Sequence, residues 1–130
     1  IETYKSSDIF DSINRDFFPY YALYKERLDG TDTALFYDSK CSEPIGVMIL
    51  KPGTDDNTLH ISCIEVAEPI KYNGWGSKML SELKSEINGI YKRITLRCLN
   101  SKLLPFYIKN GFRLVNYDPN YLLMEAFVWL

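Results

Sequence analysis

The stretch from Thr58 to Ile87 constrains the fold more than any other part of this chain. Thr58 to Val66 is rich in β-branched and aliphatic residues and reads as a strand. Met79, Leu80, Leu83 and Ile87 recur at the three- and four-residue steps of a helix with one apolar face. Gly74-Trp75-Gly76 lies between them as a turn. A strand leading through a turn into a one-sided helix implies a sheet with helices packed on it.

The flanking sequence fills in the rest. From Asp8 to Leu28, Ile9, Phe10, Ile13, Phe17, Phe18, Tyr21 and Tyr24 fall at mostly helical steps, and Pro19 divides the stretch into two amphipathic helices. Thr33 to Tyr37, Ile45 to Leu50 and Thr58 to Val66 read as strands joined by short turns, which implies an antiparallel meander. After the helix that ends near Asn88-Gly89 come a strand from Tyr91 to Leu99 and a helix from Ser101 to Lys109 whose start Pro105 distorts. Strands Phe112 to Asn116 and Tyr121 to Val128, around a turn at Asp118-Pro119-Asn120, close the chain. The expected order is ααβββαβαββ, an α+β fold with one central, mostly antiparallel sheet of six to seven strands flanked by helices. At 130 residues, 46% of them hydrophobic, and with no repeat or linker, residues 1–130 are read as a single domain.

Charge and cysteine content narrow the function. Fifteen basic against seventeen acidic residues give a formal net charge of -2, without the basic excess of a nucleic-acid binder. Cys41, Cys63 and Cys98 form no close pair and, with one His, no metal-finger spacing, so neither a metal nor a disulfide framework is expected and a reducing cytoplasm is the expected setting. No apolar run approaches the roughly 20 residues that span a bilayer, so no membrane association is expected. The chain begins with Ile rather than Met, which leaves room for residues before it.

The glycine turn carries chemistry of its own. Unpaired amides at a helix start, the helix dipole and glycines that permit close approach together make an anion site. The same glycines also serve a plain strand-to-helix turn. A Walker loop and a dinucleotide fingerprint are both excluded, since there is no G-x-x-x-x-G-K-[ST] and no third glycine. Lys71-x-x-Gly74-x-Gly76 resembles the [QR]-x-x-G-x-[GA] pyrophosphate loop of the GNAT superfamily of acyl-CoA-dependent N-acetyltransferases, with Lys71 in place of Gln or Arg. Asn100-x-x-Leu103-x-x-Phe106-Tyr107-x-x-x-Gly111-Phe112 resembles a second segment of that family, with Leu103 in place of a small residue. The element order matches the family's across residues 5 to 128.

The resemblance implies a function: transfer of an acetyl group from acetyl-CoA to a primary amine, by direct attack in a ternary complex. It implies that coenzyme A pairs with the main chain at Ile64, Glu65 and Val66. Its pyrophosphate is expected on Lys71, Tyr72, Asn73, Gly74, Trp75, Gly76 and Ser77, with Asn100 and Tyr107 completing the cofactor-binding set. Tyr107 takes the position of the general acid that protonates the leaving thiolate. His60, eleven residues before Lys71, is the expected base, with Glu65 or ordered water as alternatives. Strict alternation puts His60, Ser62, Ile64 and Val66 on one face of their strand and Leu59, Ile61, Cys63 and Glu65 on the other, unless a bulge intervenes. Cys63 and Cys98 read as core thiols. The aromatic clusters Phe17, Phe18, Tyr20, Tyr21 and Tyr24, and Tyr117, Tyr121 and Trp129, read as core or a homodimer surface ahead of an acceptor pocket for a small-molecule or peptide amine. Two other functions share the fold: a catalytically weak acyl-CoA-binding module, and a toxin-type aminoacyl-tRNA acetyltransferase, which the acidic charge disfavours.

Overall fold

The computed structural model of the protein describes residues 1–71, 74–118 and 120–128, the side chains of residues 117 and 118 excepted. Seven strands form one sheet: β1 (Glu2–Lys5), β2 (Asp32–Phe36), β3 (Gly46–Pro52), β4 (Thr58–Val66), β5 (Arg93–Cys98), β6 (Arg113–Asp118) and β7 (Tyr121–Phe127). Their spatial order is β1-β2-β3-β4-β5-β7-β6. All neighbours are antiparallel except β4 and β5, which run parallel. A parallel pair needs a crossover, and helix α2 (Trp75–Ile87) provides it. The expected α+β class and mostly antiparallel sheet are therefore present.

The chain's start differs from the expectation. β1 precedes the helical segment as an edge strand; its four residues are all exposed, so no apolar alternation marks it. In place of two amphipathic helices there are a short α1 (Ser6–Ile9) and two 3-10 helices, Phe10–Ser12 and Tyr21–Arg27. Between them the Asn14 side chain accepts the N–H groups of Asp16 at 2.8 Å and Phe17 at 3.3 Å, which takes amides that a continuing helix would use. A buried hydroxyl network holds this segment to β2: Ser6 Oγ and the Tyr21 hydroxyl lie 2.8 and 2.9 Å from Thr33 Oγ1, and Thr31 Oγ1 donates to Ser6 Oγ.

Apolar side chains pack on both faces of the sheet. On one face α2 and α3 (Leu104–Lys109) bring Met79, Leu80, Leu83 and Tyr107 against Leu59, Ile61, Ile94, Leu96 and Met124. On the other, Phe10, Phe18 and Tyr21 cover Val47, Ile49 and Cys63. The aromatic residues Phe18 and Tyr21 are thus core. The strand residues of this second cluster come only from β2, β3 and β4, and among the described residues β5, β7 and β6 contribute none. Pro105 stands in the first turn of α3 and the three residues Ser101–Leu103 form a 3-10 helix before it, the expected distortion.

Candidate functional site

The parallel pair opens into a gap. β4 pairs with β5 from Thr58↔Arg93 to Ile61↔Leu96 and no further, while its other edge stays paired with β3 as far as Val66↔Gly46. Residues Ile64 to Val66 thus present an edge that, among the described residues, no strand covers. A bulge marks where the gap begins: the β3 register jumps from Ile49↔Cys63 to Leu50↔Ile61, leaving Ser62 as the extra residue. The Tyr24 hydroxyl donates to the Ser62 carbonyl at 3.0 Å.

The bulge overturns the strict alternation. Leu59 and Ile61 pack toward α2, and so do Ile64 and Val66, whereas Cys63 belongs to the opposite cluster. His60 therefore shares its face with Cys63 and Glu65, not with Ile64 and Val66. The physical reason is the inserted residue, which reverses parity beyond it. A polar Ser62 inside an apolar run is the sequence's trace of the bulge; nothing local marks Tyr24 as its partner.

The start of α2 retains its open amides. Gly74 is the N-cap, at a left-handed φ of 82°, with no side chain capping the helix and no acidic residue in the first turn. The amides of Trp75, Gly76 and Ser77 lie in that first turn, where no intrahelical acceptor reaches them. Gly76 also has a packing role, because a Cβ there would lie 2.9 Å from Phe106 Cζ of α3. Ser77 Oγ accepts from Asn110 Nδ2 at 3.1 Å, which ties the start of α2 to the end of α3. Trp75 packs half-buried against the core, with the Lys78 ammonium 4.5 Å above its ring. Lys71 bonds the Glu68 carboxylate at 2.6 Å and lies 5.1 Å from the Tyr20 ring centroid; the Glu68 hydrogen bond raises its pKa. Tyr72 and Asn73 lie outside the described residues.

Tyr107 sits on α3, in the core cluster that α2 and α3 form with the sheet. Its ring is 6% exposed and held edge-on by Phe106 and Phe112. Burial, then the fields of Cys98, Cys63 and Tyr24, push its hydroxyl up to about 12, so it is a proton donor throughout the neutral range. Cys63 and Cys98 are buried free thiols, with burial raising both and taking Cys63 up to about 12, as core thiols should be. Asn100 caps the 3-10 helix before α3, its Oδ1 accepting from Lys102 N at 3.0 Å, while its carbonyl takes the Cys98 S–H.

The two base candidates occupy different surroundings. Glu65 is 4% exposed, and its carboxylate accepts the N–H groups of Tyr20 at 3.1 Å and Tyr21 at 2.7 Å. Desolvation raises its pKa, against those two hydrogen bonds, and its carboxylate oxygens anchor the N-terminal segment. His60 is half-buried and its Nδ1 lies 2.9 Å from Thr95 Oγ1. Burial, then Lys51 and Arg97, lower its pKa to about 4, so the imidazole is neutral at pH 7. It lines a cleft of about 460 Å³ on the sheet face that the N-terminal segment leaves uncovered. Sequence reasoning missed this cleft, because its residues come from β3, β4, β5, β6 and β7. Of the second aromatic cluster, Tyr121 lines the cleft, while the Tyr117 side chain and Trp129 lie outside the described residues. Among the described residues no His, Cys, Asp and Glu side chains group to hold a metal, and no helix is long and apolar enough to cross a membrane.

No family model matches the sequence, and no curated protein matches it. Solved structures do match the fold. A GNAT family acetyltransferase from Elizabethkingia anophelis with acetyl-CoA bound is 22% identical at a TM-score of 0.70, covering 90% of this chain and 89% of that one. An acetyltransferase from Bacillus subtilis in complex with CoA is 17% identical at a TM-score of 0.68, covering 93% and 91%. An IAA acetyltransferase from Bacillus cereus is 19% identical at a TM-score of 0.74, covering 97% of each chain. This chain has the fold of the GNAT acetyltransferases.

Proposed function

We propose that the protein is an N-acetyltransferase that moves an acetyl group from acetyl-CoA to a primary amine by direct attack in a ternary complex. The observation that carries this reading is the β4–β5 gap together with an uncapped N-terminus on the crossover helix that follows β4; the buried Tyr107 on the same side of the sheet supports it. Acetyl-CoA brings a thioester already activated for attack. The residues present fit it, since the free edge at Ile64, Glu65 and Val66 can pair with an extended amide chain. The amides of Trp75, Gly76 and Ser77 suit a pyrophosphate, and Gly74 with Lys71, Tyr72 and Asn73 completes that loop in our reading. Asn100 acts by shaping the turn before α3.

Tyr107 holds its proton at the hydroxyl and is assigned to donate it to the departing thiolate. His60, neutral at pH 7, is assigned to pass the amine's proton on to water; a pKa of about 4 makes it a relay rather than a store. Cys63 and Cys98 take no covalent part, because burial keeps them as thiols. Three free cysteines suit a reducing cytoplasm.

The test is an assay of free CoA release from acetyl-CoA across a panel of primary amines, paired with a melting curve. CoA at about a hundred times its Kd is expected to stabilise the fold by about 2.7 kcal/mol. Absence of both a melting shift and CoA release would overturn the reading. A shift without release would leave a binding module.

A further inference from the structure

The cleft beside the gap has a charge opposite to that of the whole molecule. The chain's formal net charge is -2. Yet the cleft's ionised lining is Lys51, Arg93 and Arg97 against Glu125 alone, a net of three minus one, or +2. Glu125 is already consumed: Arg93 Nη1 reaches Oε2 at 3.0 Å, and Arg113 grips Oε1 through Nε at 3.0 Å and Nη2 at 2.6 Å. Asp55, outside the cleft's lining, takes Arg93 Nη2 at 3.4 Å. Lys51 and Arg97 are exposed, and among the described residues neither has an acidic partner.

Arg97 is also held in place. Its guanidinium lies 4.8 Å from the Tyr121 ring centroid, a contact to the ring that uses none of the N–H donors a carboxylate or phosphate would take. It stands one residue past Leu96, the last β5 residue paired with β4, and so at the mouth of the gap. Lys51 lines the same cleft from β3, where it is the register partner of His60. Both charges also act on His60, lowering its pKa after burial has done so. Leu123 and Val115 supply an apolar wall, and about 460 Å³ is room for a small molecule.

We propose that Arg97 and Lys51 bind an anionic group on the acceptor, so that the substrate is a small primary amine carrying a carboxylate or a phosphate. The inference rests on the acetyltransferase reading for the word acceptor, and on the cleft itself for the anion. Polyamines are disfavoured as acceptors, because the same two charges repel their additional ammonium groups.

Two measurements on the full chain separate the inference from the reading it rests on. In the first, amide NMR shifts are followed during titration with glycine, phosphoethanolamine, glycinamide and ethanolamine, for the wild type and for Arg97→Gln with Lys51→Gln. Saturable shifts at Thr95, Arg97 and Leu123 are expected with the two anion-bearing amines, at least tenfold weaker with the neutral pair, and lost in the double variant. In the second, CoA release is measured for the same four amines. A kcat/KM at least tenfold higher for an anion-bearing amine than for its neutral analogue is expected, falling to within twofold in the double variant. The carboxylate and phosphate arms identify which oxyanion is preferred. Anion binding without CoA release from any amine would sink the acetyltransferase reading and leave the anion site standing. Equal binding of charged and neutral amines, or a preference that survives in the double variant, would overturn the inference.

Discussion

Tyr107 concentrates several constraints on one hydroxyl. Burial against Phe106 and Phe112 fixes the ring, and a pKa raised to about 12 keeps the proton on at any working pH. Tyr107→Phe removes that proton and leaves the packing, so kcat is expected to fall about a hundredfold, within the range for a lost general acid, with CoA affinity nearly intact. An unchanged kcat would strip Tyr107 of the role. His60 yields a prediction about stability and pH. Its folded pKa of about 4 lies below the ordinary 6.5, so between those values the unfolded chain binds a proton that the folded one refuses. The wild type therefore loses stability through this group as pH falls from 6.5 toward 4, and nothing above 6.5. In urea unfolding at pH 7.5 and pH 5, the wild type should lose more stability than His60→Gln; parallel losses would show that His60 is not shielded. Tyr107 was legible from its motif spacing, but the pKa of His60 was not, because two of its three causes, Lys51 and Arg97, sit on other strands.

At the level of elements, the strand–turn–helix unit from Thr58 to Ile87 follows directly from the chain. β4 occupies Thr58–Val66, as its composition predicts, and α2 ends at Ile87, the last residue of the apolar stripe. Gly74 is the hinge of this unit. A Cβ at that position meets no atom within 4 Å, so the cost of Gly74→Ala is conformational alone, about 1 kcal/mol for a left-handed residue. A lower urea midpoint at constant m is expected, and an unshifted midpoint would mean that the left-handed turn is not needed. The elements that eluded the sequence are those whose signals are not local. β1 has no buried residue, and its pairing comes from β2 alone. The N-terminal helical periodicity is real, since Phe10, Ile13, Phe18 and Tyr21 are all buried, but Asn14 and Pro19 break it into short 3-10 pieces.

For the molecule as a whole, the parallel β4–β5 pair is the organising event. It divides an otherwise antiparallel sheet and leaves a gap where the two halves diverge. Helices cover one face from β2 to β7, and the N-terminal segment covers half of the other, so the remaining half becomes the basic cleft. Chain order and periodicity by themselves determined the α+β class and the glycine turn before α2, and the resemblance of a short motif singled out Tyr107, because each depends on residues close together in the chain. The tertiary structure alone decided that a bulge at Ser62 turns His60 and Glu65 to one face, that Glu65 is spent on the Tyr20 and Tyr21 amides, and that Lys51 and Arg97 line one cleft. The reason is that register and convergence are set by pairing between strands far apart in sequence, which no local pattern encodes.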